Sequence, residues 1–174
     1  MEYRHGLVIV NTGTGKGKST AAFGTALRAA GNGMRVIVVQ FIKGTWKTGE
    51  REAFSRFANV EFRPMGEGFT WDTKDRERDT LVAGEAWSYA RERILSGEID
   101  LIVLDEILYA LDYGYLAIAD ILAALRARPD HVHVILTGRN ATPELIELAN
   151  LVTEMREIKH PYKTGIKAQR GIEW

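Results

Sequence analysis

The stretch Gly6–Gly24, GLVIVNTGTGKGKSTAAFG, decides the fold. Leu7-Val8-Ile9-Val10 is an apolar, β-branched run closed by a turn signal, the pattern of a buried parallel strand. A glycine- and lysine-rich loop follows, and then a segment with helical spacing. The loop ends in Gly17-Lys18-Ser19, the close of a phosphate-binding P-loop. Its glycines let backbone N–H groups converge on phosphate oxygens, and the helix N-terminus behind them adds partial positive charge. Lys18 is placed to reach between phosphates, and the Ser19 hydroxyl to ligate Mg²⁺. The usual spacing leaves four residues between a first glycine and the Gly-Lys pair, and Thr12 holds that first slot. The glycine sits at Gly13 instead, with an additional Gly15 and a second lysine, Lys16. A glycine-rich turn before a helix is the bland alternative. Strand, loop and helix in the required order argue against it.

Outward from this stretch the pattern repeats. Ser19–Ala30 reads as a helix carrying Phe23 and Leu27, ended by Gly31 or Gly33. Met34–Phe41 is a second buried strand, and the loop 42–50 beyond it, with Trp46 and two lysines, falls on the ligand side of an open parallel sheet. A short helix over Glu50–Phe57 and a short strand over Val60–Arg63 follow. Asp75–Ser96 is a long helix expected to turn Leu81, Trp87, Ala90 and Ile94 to the core. Ile99–Glu106, IDLIVLDE, is an apolar strand ending in adjacent acids roughly 90 residues beyond the P-loop. At the C-terminal end of a central strand, one of those carboxylates is placed to hold Mg²⁺ directly or through water.

Helices are expected over Ile107–Tyr113 and Leu116–Ala127, with Tyr109, Tyr113 and Tyr115 packing. His131–Thr137 is a fourth buried strand. Its two histidines have no acidic or thiol partner nearby in sequence, which argues against a metal role. Arg139, directly after that strand, is directed to the nucleotide side. Thr142-Pro143-Glu144 is a helix start, Ala149–Arg156 a last strand, and the tail from Lys159 is polar and irregular. Strands alternating with helices behind a P-loop predict a three-layer α/β fold with a mostly parallel sheet, residues 1–174 forming one domain. The chemistry is thereby bounded to nucleoside triphosphates.

Composition narrows the class further. The chain has 174 residues, equal numbers of basic and acidic side chains and no cysteine. No bulk charge draws it to nucleic acid or membrane; a thiol nucleophile, a disulfide scaffold and a thiolate metal site are excluded. No run approaches the ~20 apolar residues that span a bilayer. Met1–His5 lead straight into the first strand with no room for a signal peptide, so a cytoplasmic location is expected. The loop Met65–Asp72 carries Phe69 and Trp71 between glycines. Composition favours packing beneath a long loop; the alternative is an aromatic pair that stacks on a flat ligand.

Several of these stretches together resemble the corrinoid adenosyltransferases: TGTGKGKSTAAFGTALRAAG, VVQFIKGTW, MGEGFTW, LIVLDEILYALDYGYL, TGRNATPELIELANLVTEMREIKHPY and GIKAQRGIEW. The similarity runs from about Gly6 to Trp174, and the P-loop with its additional lysine is the form that family uses. The resemblance implies transfer of the 5′-deoxyadenosyl group of ATP to the Co(I) of a corrinoid. It implies that Gly13, Thr14, Gly15, Lys16, Gly17, Lys18, Ser19 and Thr20 hold the triphosphate, with Arg139 contacting the nucleotide. Ser19 and Glu106 are implied to share Mg²⁺ (or Mn²⁺). Phe69 and Trp71 match aromatics that crowd out the lower axial ligand of cobalt and ease its reduction. ATP is implied to lie reversed in the loop, its γ-phosphate where an α-phosphate normally sits. The family further implies an electron-donating reductase and a homodimer. Relatives often carry an N-terminal extension over the corrinoid; here only five residues precede Gly6. A P-loop ATPase or kinase is the alternative, and a DNA-binding motor ATPase stands third. The first would usually show a base poised for an acceptor hydroxyl and the second a basic stripe, neither of which is evident.

Overall fold

In the computed structural model the described residues are 5–42, 44, 48–68 and 75–173. The elements follow the expected alternation: β1 (Val8–Thr12), α1 (Lys18–Gly31), β2 (Val36–Gln40), α2 (Gly49–Phe54), β3 (Val60–Pro64) and α3 (Arg76–Ser96). The second half adds β4 (Leu101–Asp105), α4 (Ile107–Asp112), α5 (Ile118–Ala127), β5 (His133–Thr137), α6 (Pro143–Leu148) and β6 (Leu151–Glu154). A single 3₁₀ turn, Pro161–Thr164, lies in the tail. The six strands form one sheet in the order β3-β2-β4-β5-β1-β6, and every neighbouring pair is parallel.

Period-two alternation along the central strands sends side chains to two separate cores. On one face Val36, Val38, Leu101, Val103 and Ile135 meet Ala22, Phe23, Ala26 and Ala29 of α1. The alanines let this helix lie close to the sheet, and Phe23, Phe54 and Phe62 cluster at its far side with ring centroids 5.9–6.1 Å apart. On the other face Ile37, Val39, Ile102, Leu104, Val134 and Leu136 meet Trp87, Ala90 and Ile94 of α3, Ile121 and Leu125 of α5, and Leu145 of α6. A fully buried side chain such as Leu104 contributes about 1.5–3 kcal/mol.

Leu81, expected in the core, is 62% exposed. Trp87, Ala90 and Ile94 do face the core, in an inward stripe with Val82, Ala83 and Ala86; Leu81 lies one position outside that stripe. The predicted strands over 34–41, 99–106 and 131–137 are each two or three residues longer than β2, β4 and β5. Asp75 is the N-cap of α3, accepting from the Arg78 N–H at 3.0 Å, and Thr142 caps α6 as anticipated. The histidines serve the backbone. His133 Nδ1 accepts from the Leu7 N–H at 3.1 Å, and His131 Nε2 lies 3.1 Å from the Gly97 carbonyl.

The polar side chains buried among the described residues are Asn11, Thr12, Gln40, Asp105 and Thr137. Each occupies one of the last two positions of β1, β2, β4 or β5. Burying polar groups is costly without partners, so their concentration along one rim marks the carboxyl ends of the strands as the site.

Candidate active site

β1 ends and the chain turns back beneath α1 through Gly13–Gly17. Gly17 adopts φ +103° as the N-cap of the helix, a conformation that favours glycine. The Asn11 side chain braces the turn by donating to the Lys18 carbonyl at 3.3 Å. The displaced glycines have a local cause. β6 runs on past Glu154, and its Met155–Arg156 backbone lies against the loop. A Cβ at Gly13 would sit 2.5 Å from the Met155 carbonyl oxygen, and one at Gly15 would sit 2.8 Å from it.

Thr12, in the slot where a glycine is usual, has a task of its own. Its hydroxyl accepts from the Ala141 N–H at 3.2 Å, while its carbonyl accepts from the Met155 N–H at 2.8 Å. The opening of the P-loop is therefore fastened to the segments beyond both β5 and β6.

The loop faces a cleft of about 380 Å³. Thr14, Gly15, Lys16, Gly17, Lys18, Ser19 and Thr20 form one wall; Glu106, Tyr109 and Arg139 lie across from them. Gly13 is not on that surface and stands behind it against Glu154 and Met155. Lys18 Nζ donates to the Gly15 carbonyl at 2.6 Å. Partial burial, and then the Arg139 guanidinium, hold the Lys18 ammonium below the ordinary lysine pKa; Glu106 opposes them and Lys16 adds to them. The cleft thus gathers three cations, Lys16, Lys18 and Arg139, around a polyanion-sized space.

β4 and β1 are not adjacent. β5 lies between them, so the acids of β4 reach the cleft past the end of β5. Asp105 is wholly buried, its carboxylate accepting from Gln40 Nε2 at 2.9 Å and from Thr137 Oγ1 at 2.8 Å. Glu106 turns out of the strand at φ +66°, with its N–H donating to Thr137 Oγ1 at 2.9 Å. The left-handed backbone at a non-glycine residue, a local strain, separates the two acids: Asp105 points into the sheet and Glu106 into the cleft. Asn140 shows the same conformation at φ +57° just after Arg139, and its side chain donates to Asp112 Oδ2 at 3.0 Å.

A match to the family model described as ATP:corrinoid adenosyltransferase BtuR/CobO/CobP covers residues 4–174. The chain belongs to the corrinoid adenosyltransferase family. It is 51% identical over 170 residues to the corrinoid adenosyltransferase of Pseudomonas aeruginosa, covering 97% of this chain and 84% of that one. To the corrinoid adenosyltransferase of Escherichia coli strain K12 it is 48% identical over 169 residues, covering 97% and 86%. Among solved structures it resembles the flagellar accessory protein FlaH of Methanocaldococcus jannaschii, with TM-score 0.61, 14% identity, and coverage of 87% and 71%. It also resembles the RadB recombinase, with TM-score 0.51, 16% identity, and coverage of 91% and 78%. Those two likenesses concern the three-layer P-loop fold alone.

Of the residues predicted for this adenosyltransferase's site, the cleft brings together Thr14 to Thr20, Glu106 and Arg139. Phe69 and Trp71, like the aromatic and the two lysines of the loop 42–50, lie outside the described residues. The sequence reading missed the tail. Glu157, His160, Ile172 and Glu173 also line the cleft, where Glu173 pairs with Lys16. Lys163 pairs with Glu157 and holds its carboxyl below the usual range. Tyr109, assigned to packing, is both: it tilts on Tyr113 at 6.3 Å and faces the nucleotide side.

Proposed function

We propose that this chain transfers the 5′-deoxyadenosyl group of ATP to the cobalt of a reduced corrinoid, releasing inorganic triphosphate. The cobalt(I) centre of the substrate supplies the electron pair. A Co–C bond forms at C5′, the C5′–O bond breaks, and its electrons leave with the triphosphate. Such a nucleophile needs no activated serine, cysteine or histidine. The protein's tasks are to align C5′ with cobalt, exclude water and stabilise the departing polyanion. The observation that carries this reading is the convergence of Lys16, Lys18 and Arg139 around one P-loop cleft, in a chain of this family.

In that reading Gly13 to Thr20 cradle the triphosphate, Lys18 clamps it and Arg139 contacts the nucleotide. Gly13 contributes from behind the loop, by letting it close on Met155. ATP lies reversed relative to an ordinary P-loop enzyme, with C5′ and not the γ-phosphorus presented for attack. The Ser19 hydroxyl and Glu106 carboxylate are hard oxygen donors on facing walls, the ligand type that Mg²⁺ or Mn²⁺ takes. When bound there, the ion neutralises charge on the phosphates. Phe69 and Trp71 crowd the lower face of the corrin, a reductase supplies the electron, and the active species is a cytoplasmic homodimer of single-domain chains. No helix of the described residues is long and apolar enough to cross a membrane.

The deciding experiment identifies the phosphate product with ATP labelled in the γ-position. One intact triphosphate per adenosylcorrinoid, with little ADP, is expected. Label released as orthophosphate, or moved to an acceptor in step with turnover, would show a kinase or ATPase instead.

A further inference from the structure

The acids at the end of β4 anchor a hydrogen-bonded chain longer than the nucleotide site needs. It starts at Glu106, whose N–H donates to Thr137 Oγ1; that hydroxyl donates to Asp105 Oδ1, and Asp105 Oδ2 accepts from Gln40 Nε2. Gln40, Asp105 and Thr137 are all buried to 2% exposure or less, where a broken link would leave a polar group unsatisfied. The chain continues through backbone. The Gln40 carbonyl accepts from the N–H groups of Met65 at 3.0 Å and Gly66 at 3.1 Å. A Cβ at Gly66 would lie 2.4 Å from the Ile42 carbonyl oxygen, and the Gly68 N–H donates to that same carbonyl at 3.0 Å. The next residue in sequence is Phe69.

We propose that Gln40, Asp105 and Thr137 are positioning residues, a buried chain that sets the Glu106 side of the nucleotide cleft and the stem of the Phe69–Trp71 loop in fixed relation. The proposal rests on the function proposed above, since it assigns that loop to the corrin. Its chemical purpose is alignment. In-line attack on C5′ needs cobalt and the nucleotide held in register, since a misplacement of about 1 Å can cost roughly a hundredfold in rate. The two substrates occupy walls built from different strands, and β5 separates β4 from β1. Thr137, on the intervening strand, bonds the Glu106 N–H and the Asp105 carboxylate at once, and so fixes how these two neighbouring residues turn apart. Hydrogen bonds in a dry chain of this kind reinforce one another, so loosening one end should be felt at the other.

The test is a double-mutant cycle on the full-length protein with Thr137→Val, which removes the hydroxyl and keeps the shape, and Gln40→Leu. ATP affinity is measured by calorimetry. The corrinoid side is read from the visible spectrum of the Co(II) corrinoid bound with ATP, which reports loss of the lower ligand. Melting temperature follows stability. Thr137→Val, on the nucleotide side, is expected to shift the cobalt spectrum toward that of free corrinoid. Gln40→Leu, on the corrin side, is expected to weaken ATP binding roughly threefold or more, with the double variant clearly less impaired than the product of the singles. Thr137→Ser should restore both readouts.

If Thr137→Val does not fold, Gln40→Asn keeps the amide, shortens its reach and probes the chain at its other link to Asp105. Effects confined to each variant's own side, multiplying in the double variant, would overturn the proposal while leaving the adenosyl transfer intact. A wild-type protein that forms no adenosylcorrinoid would overturn the functional reading itself.

Discussion

Gly15 and Met155 are joined by a 2.6 Å hydrogen bond, the Gly15 N–H donating to the Met155 carbonyl. The amide of a P-loop glycine is thereby committed to the strand extension behind it rather than to a phosphate. The loop's shape is consequently set by β6 as well as by its own sequence. At Gly13 a side chain would meet both a steric limit, 2.5 Å from the Met155 oxygen, and a backbone at φ +99°. Gly13→Ala is expected to destabilise the fold by roughly 1–2 kcal/mol, lowering the melting temperature by roughly 2–8 °C. ATP affinity, measured by titration, should fall with it. Unchanged values for both would show that the loop does not need this close approach.

That relationship also marks what the sequence could and could not reveal. The apolar runs of β1, β2, β4 and β5 announced themselves because strands buried on both faces are continuous in hydrophobicity. Lys18 and Ser19 were legible from the P-loop motif, Arg139 from its place after β5, and the acidic pair Asp105-Glu106 from the end of β4. The reason for Gly13 was not, because Thr12 and Met155 meet only through the parallel pairing of β1 with β6, which local spacing cannot express. Glu173 was invisible for the same reason. A polar tail carries no periodicity, yet its carboxylate lands on Lys16. The burial of Asp105 beside a cleft-facing Glu106 depends on one left-handed backbone angle, and two adjacent acids do not say which will turn out.

With Lys18 in its proposed role as phosphate clamp, Lys18→Ala should remove a charge-assisted contact worth roughly 1.5–3 kcal/mol, lowering ATP affinity about 10- to 150-fold with the fold preserved. The pH dependence has a defined sign. Burial and Arg139 lower the Lys18 pKa, whereas a bound triphosphate favours the charged ammonium. ATP binding should therefore take up a proton at alkaline pH, and affinity should fall as pH rises through the lowered value. For folding, the unfolded lysine holds its proton more tightly, so this group's contribution to stability rises with pH across the same window. Calorimetry in buffers of different ionisation enthalpy measures the uptake, and its absence in the wild type would remove Lys18 from the phosphate site.

The two acids of β4 should respond in opposite ways. Glu106→Gln keeps shape and removes a cleft-facing charge; activity should fall and recover in part at raised Mg²⁺ or with Mn²⁺, at nearly wild-type melting temperature. Asp105→Asn instead turns an NH₂ group toward one of two donors, Gln40 Nε2 or Thr137 Oγ1. The loss of a buried acceptor should cost about 1–3 kcal/mol of stability. A melting profile in which Glu106→Gln is the damaged variant would reverse the roles.

Phe69→Ala and Trp71→Ala should spare ATP binding and impair adenosylation that starts from Co(II) and a physiological reductant. With chemically prepared Co(I) the defect should shrink, because the difficult reduction has been bypassed. Equal losses in both assays would mean that the rings only hold the loop or seat the corrin.

The last prediction concerns the tail. Glu173 places a carboxylate against Lys16 inside a cleft otherwise suited to a polyanion. Its amide donates to the Gln169 carbonyl at 2.8 Å, so the contact is set by a folded turn and not by a loose end. Lys16 is largely exposed while the Glu173 side chain is mostly covered; a pair open to solvent on one side contributes at most about 1 kcal/mol of stability, and its weight falls on the ligand. A triphosphate entering the cleft competes with Glu173 for Lys16 and is repelled by the carboxylate it displaces. Glu173→Gln should shift the melting temperature by no more than roughly 4 °C, since a pair of this kind is worth up to about 1 kcal/mol. It should tighten both ATP and inorganic triphosphate. Tighter product binding should make triphosphate a stronger inhibitor and slow steady-state turnover, while a single-turnover measurement of Co–C bond formation stays close to wild type. Weaker binding of ATP and triphosphate in Glu173→Gln would show instead that the carboxylate holds Lys16 in place for the phosphates.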